Sequence, residues 1–300
     1  MAVGVRNVSQ FWQIWCGLWY GNRWKLLKSL KSFVILVVAG FLAWGWGINL
    51  SFSCEGLRPG PKGIVVSVTD GDTIVLDSDI RVRMIGIQAP KLPLGREGFE
   101  TWPLADAAKE FLEALVLGKH VQVRYGGQQM DRHGRVLGHV FVEGVQGSEI
   151  WMQGAMLEQG LARVYSFFDN RYCLNELYKI EAQARVDRQG IWYGDPFYAI
   201  RHGDKPEQLL ERLDHYEIVE GRIVNADRVG PRVYLNFGSN WKEDFTVVLE
   251  RQALRLFEQE GIDPLALENS LVRVRGWIDR KDGPRIEVTH PEQIEVLAGL

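Results

Sequence analysis

From residue 63 onward the chain alternates apolar and polar positions in short runs, the period-two pattern of half-buried strands. GIVVSV (63–68) and TIVLDS (73–78) flank Asp70-Gly71-Asp72, turn chemistry that predicts a β-hairpin. IRVRMIGI (80–87), HVQVRY (120–125) and VLGHVFV (136–142) predict three further strands, while 104–117 carries apolar residues at the 3.6 period of an amphipathic helix. Helical stretches at about 149–159 and 173–188 follow, and GIWYGD closes the unit near residue 195. The order is β-β-β-α-β-β. A polar stretch of mixed charge, with Pro196, Gly203 and Pro206, reads as a boundary. Beyond it EIVEGRIV, PRVYLNF, DFTVVL, a helix near 251–260, SLVRVRGWI and PRIEVT repeat the same order, which predicts a five-stranded Greek-key barrel of the OB type.

The N-terminus has a different pattern. Residues 33–50 read FVILVVAGFLAWGWGINL without a charge, and at ~1.5 Å per residue such a run nearly crosses a ~30 Å hydrocarbon core. Lys25, Lys28 and Lys31 precede the run, while Glu55, Arg58 and Lys62 follow it. The positive-inside rule then predicts a cytoplasmic N-terminus and extracytoplasmic soluble domains, in a single-pass protein of a bacterial inner membrane. A cleaved signal peptide ending near Ser51-Phe52-Ser53 is the alternative, which would give a secreted chain; the long basic region before the apolar run favours the anchor. Upstream, Val8, Phe11, Trp12, Trp15, Leu18 and Trp19 recur at helical spacing, as in an amphipathic helix lying in the membrane interface.

The expected organisation is therefore a cytoplasmic basic segment (1–31), a transmembrane helix (32–53), a Pro/Gly linker (54–62), a first β-rich domain (63–195), a second linker (196–215) and an OB-like domain (216–298). The class is α+β, mainly β.

Charge narrows the function classes. The formal net charge of −3 conceals a basic N-terminus: residues 55–200 hold 16 basic and 19 acidic side chains, and residues 201–300 hold 14 and 19. Neither half has the bulk positive field of a tight polyanion binder, so any contact with a polyanion must be local. Cys16, Cys54 and Cys173 match no metal-ligand spacing and cannot all pair. They read as buried or idle thiols, with a Cys54–Cys173 disulfide as the alternative outside the cytoplasm.

Breaking a phosphodiester requires cations to neutralise the developing oxyanion, a positioned water and a group to activate it. The turn Asp70-Gly71-Asp72-Thr73 places carboxylates at a strand junction, Arg83 lies on the third strand, and Asp131-Arg132-His133-Gly134-Arg135 leads into the fifth. Singly these are ordinary: DG is hairpin chemistry, and strand arginines usually pair with surface carboxylates. In order and spacing, VTDGDT, VRMIGIQAP, DRHGR, QGLARV and EAQARVDRQGIW resemble the staphylococcal nuclease family over the whole of 63–195.

The resemblance implies an OB-type barrel with a calcium-dependent pocket. Asp72 and Thr73 would be metal ligands, the latter through its backbone carbonyl, and Arg83 and Arg135 would clamp phosphate. Gln88 stands where the family has a second metal-binding aspartate, and Lys91 where it has the glutamate proposed as general base. An amide oxygen still coordinates calcium, though without charge; an ammonium can neither bind a cation nor accept a proton. Glu97, Glu100 and His133 are nearby substitutes for the base. Tyr165, Phe167 and Phe168 fall where the family carries pocket tyrosines, and base stacking on such rings is worth ~1–3 kcal/mol; rings that merely cover the barrel fit the pattern too. In the C-terminal unit Arg232, Tyr234, Phe237 and Trp277 suit a ligand face, and the same alternation also fills a barrel.

The expected function is a membrane-anchored, calcium-dependent nuclease acting on accessible DNA or RNA, with the membrane and nucleic acid as partners. The alternative is a binding or scaffold protein that has lost its general base.

Overall fold

The computed structural model describes residues 54–144 and 147–297. The expected amphipathic segment and the transmembrane helix at 32–53 lie outside these residues. Among the described residues no helix is long and apolar enough to cross a membrane.

The hairpin forms where the DG turn demands it. Strand β1 (Arg58–Asp70) pairs antiparallel with β2 (Thr73–Leu76), ending on the pair Asp70↔Thr73. β2 pairs with β3 (Arg81–Met84), and β1 pairs on its other edge with β5 (His120–Tyr125), which pairs with β6 (Val136–Glu143). A parallel pairing of β3 with β6 joins the ends of this order and closes a five-stranded OB-type barrel. Gly86 opens the short β4 (Gly86–Gln88), one residue past β3, at φ 79°, a conformation that an L side chain resists. β4 pairs with β8 (Arg163–Tyr165).

Helix α1 (Ala105–Val116) buries Ala105, Ala108, Leu112 and Val116, spaced three and four apart so that one face meets the barrel. They join Ile74, Leu76, Met84, Val123 and Val140 in the core, each large aliphatic contributing ~1.5–3 kcal/mol by burial. The stretch 149–159 splits into β7 (Glu149–Trp151), which pairs with β6, and helix α2 (Met152–Glu158). Helix α3 (Leu174–Val186) packs Leu177 and Ile180 into the same core.

Two expectations about connecting segments are corrected. Residues 58–62 are the start of β1, paired with β5, although Pro59 and Pro61 lack an N–H to donate; the register is irregular between Pro59 and Lys62. Residues 196–215 are structured as well: they contain β9 (Arg201–His202), a parallel partner of β10 (Tyr216–Arg222), and helix α4 (Pro206–Leu210), whose Leu209 is buried.

The C-terminal part is a second curled sheet. β10 pairs with β14 (Leu271–Lys281), β11 (Asn225–Val229) with β12 (Arg232–Asn236), and β12 with β13 (Thr246–Leu249). β13 runs parallel to β15 (Gly283–Val288), β14 pairs with β15, and β16 (Ile294–Val296) lies on β14. Helix α5 (Arg251–Gln259) places Ala253 and Phe257 in this sheet's core.

The described residues of the two sheets belong to one unit. Their junction contains a buried ion pair, Arg275 Nη2 to Glu181 Oε2 at 3.0 Å, with both side chains fully buried. Tyr178 donates to the Glu292 carbonyl at 2.6 Å, Ser166 and His290 share a hydrogen bond of 2.7 Å, and Arg171 pairs with Glu260 and Glu292. Cys54 and Cys173 form a disulfide, the alternative to idle thiols, and it ties the start of the described chain to the residue before α3.

Candidate active site

The β1–β2 turn is packed as well as tight. A Cβ on Gly71 would lie 2.7 Å from that of Ala89 and 2.8 Å from that of Ala108, so the absence of a side chain lets the turn sit against α1 and the loop after β4. That contact brings Asp70 and Asp72 beside Lys91.

Asp72 is fully buried and saturated with donors. Its Oδ2 accepts from the Ala89 amide at 2.9 Å and from Lys91 Nζ at 2.6 Å. Its Oδ1 lies 3.1 Å from Arg83 Nη1 and accepts from Thr73 Oγ1 at 3.3 Å. Burial works against the charge, but Arg83, Lys91 and the Ala89 amide outweigh it and hold this carboxyl well below the usual range. Asp70 differs: its Oδ2 is 3.4 Å from Lys91 Nζ, and burial together with the Asp72 charge raises its pKa.

Arg83 reaches the Asp72 carboxylate, and much of its guanidinium serves the protein. Nη1 donates to the Met84 carbonyl at 2.6 Å and the Asp72 carbonyl at 3.3 Å, and Nη2 donates to the Ile87 carbonyl at 2.8 Å. Arg135 stands at the mouth of β6, where Val136 pairs with Val82 of β3. Its loop is folded around Asp131, which accepts from the His133 and Arg135 amides at 2.8 and 2.9 Å and from Arg135 Nε at 2.7 Å. Gly134, at φ 72°, allows that turn. Arg135 remains about one-third exposed, and an ion pair of this kind contributes ~0–1 kcal/mol, so its fork is inexpensive to redirect.

Gln88 is not turned toward Asp72. Its Oε1 accepts from Arg163 Nε and Nη2 at 3.1 and 2.9 Å, deep in the β4–β8 pair. Thr73 contributes its hydroxyl to Asp72 and its backbone to pairing with Arg83. Glu97, Glu100 and His133 are exposed.

Tyr165 belongs to a separate aromatic group. Its ring meets Phe167 edge-on at 4.9 Å and Tyr216 at 4.6 Å, and its hydroxyl accepts from Trp277 Nε1 at 3.2 Å. Phe167, Phe168 and Trp277 are each exposed by nearly half. Lys91 as the partner of both aspartates, and Trp277 as the partner of Tyr165, were not foreseen; an unusual residue type at position 91 was the only signal for the first.

The staphylococcal nuclease homologue family matches residues 81–194. An uncharacterized endonuclease of Escherichia coli is 34% identical over 145 residues, covering 47% of this chain and 83% of that protein. The chain belongs to the staphylococcal nuclease homologue family. Within it, the thermonuclease of Staphylococcus hyicus is 28% identical over 178 residues, 55% of this chain and 99% of its own length. Protein ParB of Escherichia coli is 34% identical over 142 residues, 45% of this chain and 73% of its own.

Nucleases of this family depend in general on calcium. That ion needs six to eight oxygen ligands, several of them carboxylates. Here the oxygen of Gln88 is held by Arg163, and the ammonium of Lys91 lies on the two aspartates that would supply charge. The residues present do not fit calcium.

Proposed function

We propose that this chain is a nuclease that acts on phosphodiester bonds of single-stranded or otherwise accessible nucleic acid. The observation that carries the reading is the cluster of Asp70, Asp72, Arg83 and Lys91 at the hairpin turn of a family barrel, with Arg135 at the mouth of the next strand. Cations placed in this way stabilise charge that develops on phosphoryl oxygens. Asp70, whose pKa is raised by burial and by Asp72, is the carboxylate suited to accept a proton from water. The donor set does not suit calcium, so the reaction proposed here does not call on that ion.

The apolar run 33–50 and its basic flank support a membrane anchor with an N-terminus in the cytoplasm, and the Cys54–Cys173 disulfide supports an oxidising, extracytoplasmic setting for the rest. The strand pairings of the second sheet, including the parallel β13–β15 pair, support reading it as an OB-type module. Tyr165, Phe167 and Trp277 support a stacking surface for bases.

A second reading, binding without hydrolysis, is favoured by one observation: the position that would hold a basic carboxylate holds Lys91. Incubating the full chain with end-labelled single-stranded DNA and RNA separates them. Shortened products that disappear in Asp70→Asn support the nuclease; intact strands that remain bound at every protein concentration support the binding module.

A further inference from the structure

We propose that Lys91 is the resident cation of this pocket, a tethered ammonium that takes the place of a divalent metal and makes engagement of the phosphodiester independent of calcium. The ligand half of this inference rests on the function proposed above; the exclusion of calcium does not.

Three features support it. Lys91 Nζ contacts both acids of the turn, at 2.6 Å from Asp72 Oδ2 and 3.4 Å from Asp70 Oδ2, with its side chain only 19% exposed. The ammonium is held there by its backbone setting, since the Asp72 carboxylate accepts the Ala89 amide and the Lys91 carbonyl accepts the Trp102 amide at 3.0 Å. The two carboxylates are balanced by Arg83 and Lys91, so a dication entering the turn would meet no uncompensated negative charge and would be repelled by an ammonium that cannot leave. The position of Gln88 agrees, because its oxygen faces Arg163.

An ammonium has three donors. Two face the aspartates; among the described residues the third meets no acceptor, which leaves it for a phosphodiester oxygen. Such a contact replaces neither a water activator nor a leaving-group acid; it supplies charge, as a metal would, without exchanging with solvent.

The test uses the full chain, its Lys91→Met and Lys91→Gln variants, which remove the charge, and Lys91→Arg, which keeps it. Each is melted in millimolar calcium and in chelator, and each is titrated with a fluorescent single-stranded DNA oligonucleotide under the same two conditions. The parent and Lys91→Arg should melt at the same temperature with and without calcium, while Lys91→Met and Lys91→Gln should gain a calcium-dependent rise. In chelator the two neutral variants should bind the oligonucleotide about tenfold more weakly than the parent, since charge-assisted bonds to phosphate are lost, and calcium should restore part of that loss. A calcium-dependent rise in the parent as large as in Lys91→Met would overturn the exclusion of the metal. Oligonucleotide binding by Lys91→Met equal to the parent's in chelator would overturn the ligand role. If the parent binds no oligonucleotide at all, the functional reading falls, and the melting arm still decides whether Lys91 stands in for a metal.

Discussion

Arg83 and Arg135 share a residue type and an expected role, but their surroundings separate them. Arg83 gives donors to three backbone carbonyls and one carboxylate and is 11% exposed; Arg135 is tied to one partly exposed aspartate. Replacing Arg83 with Lys leaves buried carbonyls short of donors and should lower stability by about 1–3 kcal/mol. Arg135→Lys should shift it by no more than about 0.5 kcal/mol while weakening oligonucleotide binding. Urea unfolding of both variants beside a binding titration checks the contrast; equal losses of stability would contradict it. The residue types at positions 72, 83, 88, 91 and 135 were legible in the sequence. The direction of each side chain was not, because a sequence carries no record of whether an amide such as that of Gln88 turns toward the hairpin or toward Arg163. That choice depends on Arg163, seventy-five positions away and buried beneath the Tyr216 ring.

At the scale of elements, the strands with clean alternation were found to within a few residues, since a strand with one wet and one dry face writes its period into the chain. Those that were missed or blurred are β4, β7, β8, β9, β11 and β16, each of two to five residues. So few positions hold no period, and these strands exist because a neighbouring edge offers pairing. The DG turn was read as hairpin chemistry, and the structure adds the close packing of Gly71 against Ala89 and Ala108. Gly71→Ala should therefore cost about 1–3 kcal/mol, as over-packing does. It should also displace the loop that carries Lys91, so oligonucleotide binding should fall more than in a surface variant of equal stability. Melting and binding measured together would expose a merely destabilised protein, in which binding below the melting transition is unchanged.

At the scale of the whole molecule, the two sheets are joined through polar groups of Ser166, Arg171, Tyr178 and Glu181, whose partners lie 89 to 124 residues away. Such pairings leave no local trace. The junction has a pH dependence of its own. Burial pushes His290, hydrogen-bonded to Ser166 across the junction, down to about 4, and pushes His139 in the barrel down to about 3. Both are neutral when folded, and below about 6.5 the unfolded chain takes up protons that the folded one refuses. Stability is thus complete above pH 6.5 and falls with pH below it, by up to about 1.4 kcal/mol per pH unit for each histidine. Urea unfolding at pH 7 and pH 5 should show that loss, and His290→Gln should reduce it; a variant with the same acid limb as the parent would place the effect elsewhere.

The central claim is that a lysine ammonium, held between two aspartates, meets the phosphodiester in this pocket. It is tested most directly by following the side-chain 15N signal of Lys91 in the full chain, assigned by its absence from Lys91→Arg. The account predicts that a single-stranded oligonucleotide shifts this signal in chelator and that millimolar calcium alone leaves it unmoved. A signal displaced by calcium and indifferent to the oligonucleotide would contradict it.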